Sequence, residues 1–175
     1  FAYSLRPEAD YSTVIVVGID SDLNYYILDI DRFKTALVSE YYKHILALHQ
    51  KWDFRKIRAE VTVAQKSIVE TLKTDWIRRD GLALVVDDDR PTGKEGTKGE
   101  RIFNTLQPRY ANRQMWHYRG GNCSLLEEEL QLQNPKHDDI KDALTSVIPI
   151  CIAPTAYRTS SSPVFQSHPR FGGIM

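Results

Sequence analysis

Apolar positions along the chain fall into short continuous runs and longer stripes at helical period. Thr13–Ile19 (TVIVVGI) is β-branched and almost continuously apolar, which predicts a strand covered on both faces. Tyr25–Ile30 predicts a second strand, and the turn chemistry of Asp20–Asn24 joins the two as a hairpin. From Thr35 to Trp52, the residues Leu37, Tyr41, Ile45, Leu48 and Trp52 recur at steps of three and four. That is the period of a helix laying one apolar face on a sheet. Lys56–Val61 reads as a short strand. Ile68, Val69, Leu72 and Trp76 share one face of a helix over Ala64–Arg79, which Asp80-Gly81 breaks before a buried-type strand, Leu82–Val86. The predicted order so far is β-β-α-β-α-β.

Asp87–Gly99 (DDDRPTGKEGTKG) is too charged and glycine-rich for a regular element and predicts a mobile loop. A short helix over Glu100–Leu106 stopped at Pro108, a short strand over Gln114–Tyr118, a helix over Ser124–Leu132 with an acidic first turn, and a last helix over Lys136–Ile148 ended or kinked by Pro149 complete the pattern. The final stretch has no periodicity, so the organisation predicted is one domain over 1–155 and a loose tail over 156–175. The chain opens at Phe1, without Met and in what reads as the middle of an element, as an excised domain would.

At 175 residues, 42% hydrophobic and 26% charged, the composition suits one globular core and excludes a disordered polyelectrolyte. The 23 Lys+Arg balance the 23 Asp+Glu, so attraction to nucleic acid has to come from local segregation of charge. No apolar run approaches the roughly 20 residues of a membrane-spanning helix, so a soluble protein is expected. The two cysteines, Cys123 and Cys151, carry no CxxC and no zinc-finger spacing. The chain contains no P-loop, no HExxH and no GxSxG.

Candidate chemistry concentrates in three places. In His137-Asp138-Asp139-Ile140-Lys141-Asp142, helical spacing puts Asp138 and Asp139 one turn from Asp142, with Ile140, Ala143, Leu144, Val147 and Ile148 on the adjoining core face. Crowded carboxylates repel, and a divalent cation relieves that repulsion. An acidic first turn chosen for the helix dipole is an equal reading of the same residues. Glu60 closes a predicted strand, where open α/β sheets place ligand groups, although an ordinary exposed edge-strand Glu would look the same. Between Arg90 and Arg119 seven basic residues (Arg90, Lys94, Lys98, Arg101, Arg109, Arg113, Arg119) face two acids, Glu95 and Glu100, a surplus of five positive charges suited to phosphates. Asp10 stands before the first strand, and Asp29 and Asp31 are expected to face solvent.

Taken in order, ADYSTVIVVGIDSDLNYYILDIDR, the strand-end Glu60, KGERIFNTLQPRYANRQMWH and LLEEELQLQNPKHDDIKDAL resemble the nuclease domain of the large terminase subunit of tailed bacteriophages. The most specific part is a KxxRIxxxLxP segment followed by PxHDDxxDAL, and the resemblance covers about residues 1–150. It implies an α/β, RNase H-like fold with a central mixed sheet flanked by helices. The implied activity is metal-dependent endonucleolytic cutting of concatemeric viral DNA during packaging into procapsids, with two Mg2+ or Mn2+ ions. Carried over by position, Glu60, Asp139 and Asp142 are the catalytic acids, with Asp138 an adjacent metal ligand, and Arg90, Lys94, Lys98 and Arg101 lie along DNA. The resemblance implies a first acid immediately before Phe1, which leaves two alternatives: the protein continues upstream with that acid, or the first strand is missing or truncated along with one metal ligand and activity is impaired, Asp10 being a poor substitute.

The partners implied are double-stranded DNA, an ATPase motor domain, the small terminase subunit and the portal, in the cytoplasm of the infected bacterial host at the procapsid portal. Two other classes remain open at the level of sequence. One is another RNase H-like nuclease, of junction-resolvase or transposase type; the other is a non-enzymatic docking module.

Overall fold

The computed structural model describes residues 11–60, 66–89, 96–132 and 135–155. The chain is mixed α/β. Strands β1 (Ser12–Ile19) and β2 (Tyr25–Phe33) form the expected antiparallel hairpin, and β2 pairs in parallel with β5 (Met115–His117). Strands β3 (Lys56–Glu60) and β4 (Val85–Asp89) form a separate parallel pair. The single central sheet expected from sequence is therefore seen as a small mixed sheet, β1-β2-β5, and a two-stranded one, β3-β4. Helices α1 (Val38–Trp52), α2 (Lys66–Thr71, continuing as π-helix over Leu72–Ile77), α3 (Lys98–Ala111), α4 (Asn122–Gln131) and α5 (Asp139–Val147) flank them. No helix among the described residues is long and apolar enough to cross a membrane.

Two apolar layers hold these elements. Ile27 and Ile30 of β2 pack with Leu106 of α3, Leu126 of α4 and Ile140 and Leu144 of α5, whereas Tyr42 and Ile45 of α1 pack with Ile68 and Leu72 on the other side. Val14 adds to the second layer and its neighbour Ile15 to the first, so β1 is covered on both faces, as its unbroken apolar run predicts. Helix α5 lies against both β1 and β3 and ties the two sheets together.

The hairpin turn is built by Asp20, whose carboxylate accepts the N–H groups of Asp22 and Asn24, the Asn24 side-chain amide and the Tyr26 hydroxyl, all at 2.9–3.0 Å. Between Val16 and Val17 the partner steps from Asp29 to Ile27, leaving Leu28 as an extra residue in β2.

Several predicted boundaries move, each for a local reason. Helix α1 begins at Val38, so Leu37 drops out of the predicted stripe and is 61% exposed. Strand β4 starts at Val85 and not Leu82; Leu84 is buried in the second layer, and Asp87–Asp89, assigned by composition to a loop, are strand. Helix α3 starts at Lys98, inside the predicted loop, because Thr97 and Glu100 form a reciprocal capping box, and it runs through Pro108 to Ala111. Proline removes one N–H but keeps its carbonyl, which accepts the Asn112 N–H at 3.0 Å; the helix stops at Arg113, whose φ is +57°. Helix α4 starts two residues early, at Asn122, with no acid in its first turn. Helix α5 is shorter than predicted, with Asp138 just outside it as N-cap and a 3₁₀ turn, Ile148–Ile150, around Pro149.

Candidate functional site

The acidic turn of α5 meets the start of α3. Lys98 Nζ donates to Asp138 Oδ1 at 2.9 Å and lies 3.2 Å from Asp142 Oδ2, while Arg101 Nη2 donates to Asp142 Oδ1 at 2.7 Å. Lys98 and Arg101 are one turn apart on α3, and Asp138 and Asp142 one turn apart at α5, so two helix faces of opposite charge mate. Asp139 turns the other way and receives Arg32 Nη2 of β2 at 3.4 Å. Three carboxylates thus face three cations. Burial alone would lower the Lys98 ammonium, but its hydrogen bond to Asp138 and the charge of Asp142 raise it above its usual value, keeping it protonated.

Arg32 is held on its other side by an aromatic ring. Its guanidinium carbon sits 3.8 Å from the Tyr11 ring centroid, and that ring also takes Lys34 Nζ at 4.3 Å and the edge of His137 at 5.5 Å. Arg32 Nε is buried with no hydrogen-bond partner among the described residues.

Behind the acidic turn, Glu129 of α4 is 4% exposed. Its Oε2 accepts the N–H groups of Ile140 and Lys141 at 3.0 and 2.9 Å, and its own carbonyl accepts Lys141 Nζ at 3.2 Å. Burial pushes the Glu129 carboxyl up from its ordinary value, opposed by the Lys141 N–H and the charge of Arg32.

Of the residues singled out from sequence, Asp138, Asp139, Asp142, Lys98 and Arg101 come together here. The backbone of Glu60 ends β3, in register with Asp89 of β4, but its side chain lies outside the described structure. Asp10, Arg90 and Lys94 also lie outside the described residues. Arg109 turns instead to the Thr105 carbonyl and the Tyr25 ring. Asp29 and Asp31, expected to face solvent, are tied to α1. Lys51 and Trp52 hold Asp29 at 2.7 and 2.9 Å, and His44 holds Asp31 at 2.6 Å. Burial pushes the Asp29 carboxyl up, yet the hydrogen bonds from Lys51 and Trp52 outweigh it and keep the group below its usual value.

Arg32 and Glu129 were not singled out by sequence. Both carried a signal: Arg32 lies two residues from the buried Ile30 on β2, and Glu129 falls at i+3 from Leu126 and i+6 from Cys123, in line with two fully buried residues.

The donor chemistry of the turn is carboxylate oxygen, which suits Mg2+ or Mn2+ and not a soft metal. In number it falls short: among the described residues no group of three or more His, Cys, Asp or Glu side chains is placed to hold a metal ion. The carboxylates that do converge are engaged by cations of this chain.

No family model matches the chain, and no curated protein or solved structure matches it.

Proposed function

We propose that this chain is an RNase H-like, divalent-metal-dependent endodeoxyribonuclease domain of the kind found in phage terminase large subunits. The observation that carries the reading is the meeting of the α5 acids with Lys98 and Arg101, which puts catalytic-type carboxylates and phosphate-binding-type cations at one locus. The two motifs of the resemblance, KxxRIxxxLxP and PxHDDxxDAL, supply the two halves of that locus. Helix α5 also packs on β3, the strand whose backbone Glu60 ends.

In this reading Lys98 and Arg101 exchange carboxylate oxygens for the backbone phosphates of double-stranded DNA, and Arg32 keeps Asp139 oriented. Bound Mg2+ or Mn2+ would supply positive charge at the phosphate. Cations on a helix face grip phosphates without reading base edges, so cleavage shows little sequence preference. The setting proposed is packaging of concatemeric viral DNA in the host cytoplasm, at the procapsid portal, beside an ATPase motor and the small terminase subunit.

The test is relaxation of supercoiled plasmid in Mn2+. Wild-type chain nicks the plasmid, and Asp139→Ala and Asp142→Ala lose nicking while keeping the circular dichroism of the folded protein. Nicking that survives both substitutions overturns the assignment. A strong preference for four-way junctions over plasmid would move it to a resolvase.

A further inference from the structure

We propose that Glu129 is a positioning residue: by capping α5 from the neighbouring helix, it relieves Asp138 of that role and leaves the Asp138 carboxylate turned toward Lys98 and Asp142. Its functional meaning rests on the nuclease reading above.

An α-helix begins with N–H groups that have no partner inside the helix, and an Asp at the N-cap usually accepts from the second or third of them. Asp138 occupies the N-cap of α5 but makes no side-chain cap bond, and its φ of −132° and ψ of 17° are outside the extended geometry a capping Asp adopts. The N–H groups it would serve are those of Ile140 and Lys141, and Glu129 Oε2 takes both. The Asp138 carboxylate is consequently turned outward to Lys98 Nζ, which it shares with Asp142.

The position of Glu129 argues that this is its purpose. It continues the buried line of Cys123 and Leu126 on α4, where an aliphatic side chain would satisfy packing without desolvating a carboxyl group. A buried acid is tolerated there because it closes α5, and the Lys141 ammonium on the Glu129 carbonyl fastens α4 to α5 at the same point.

Crystal structures of Glu129→Ala and Glu129→Gln test the inference without any metal. In Glu129→Ala, Asp138 is expected to rotate inward, accept from Ile140 or Lys141 N–H and leave Lys98. In Glu129→Gln the amide oxygen still accepts both N–H groups and Asp138 stays on Lys98. If Glu129→Ala does not fold, Glu129→Asp, one methylene shorter, takes its place in the same comparison. Asp138 remaining on Lys98 when the cap is lost overturns the proposal.

A purely structural Glu129 would lower the melting temperature of Glu129→Ala while leaving Asp138 on Lys98, which also overturns the proposal.

Discussion

Arg101 of α3 and Asp142 of α5, 41 positions apart in the chain, are joined by a charged hydrogen bond of 2.7 Å, with side chains only 15% and 17% exposed. A pair this sheltered is worth more than an exposed one, because water screens it less. Arg101→Ala is expected to cost about 1–2 kcal/mol of stability in urea unfolding, moderated because Lys98 also faces Asp142. A loss below about 0.5 kcal/mol would reduce the pair to an ordinary surface contact.

The hairpin turn makes a pH-dependent contribution. The Asn24 side-chain amide, together with the Asn24 N–H, the Tyr26 hydroxyl and the Asp22 N–H, holds the Asp20 carboxyl at about 2, against an ordinary 3.8. A depressed acid stabilises the fold above its unfolded value and loses that contribution as pH falls through its folded value. Asp20→Asn should therefore melt at a lower temperature than wild type at neutral pH, with the gap closing between pH 3.8 and about 2. A gap that persists unchanged at the acid end would contradict this account.

Leu23 in the same turn has φ of +64° and is 50% exposed. A left-handed backbone costs a β-carbon residue about 1 kcal/mol, and the exposed side chain contributes little packing to set against it. Leu23→Gly should raise stability by about 0.5–1 kcal/mol despite the added freedom of the unfolded chain. Denaturant midpoints at constant m-value measure it, and a destabilised variant would show that the leucine packs in a way its exposure conceals.

Leu144 on α5 is fully buried, whereas Leu37 before α1 is 61% exposed. Leu144→Ala should cost about 2–5 kcal/mol and Leu37→Ala no more than about 0.5 kcal/mol. Equal losses would mean that Leu37, not the core face of α5, carries apolar burial at its end of the molecule.

Patterns confined to neighbouring residues were legible in the sequence. The β-branched run before Asp20 announces β1, and Tyr41, Ile45 and Leu48 announce the buried face of α1. The acids of α5 were legible as a group for the same reason. Their partners were not, since nothing local tells Asp138 that Lys98, 40 residues earlier, will lie against it. Pro108 misled because its lost N–H and ring clash, about 3 kcal/mol in a helix interior, are outweighed in a helix that packs Ile102 and Leu106 into the core and is secured by the Thr97–Glu100 box at its start. Glu129 was hidden in Glu127-Glu128-Glu129, where only the stripe through Cys123 and Leu126 separates a buried acid from its solvated neighbours.

The opposed facing of Val14 and Ile15 has a consequence for how this chain packs. Sliding the hairpin by one residue would point each of them into the wrong layer, so a single misalignment would spoil packing above and below the strand at once. The Asp20 turn and the extra residue at Leu28 guard against that slip. The alignment of this one strand therefore governs how both layers close.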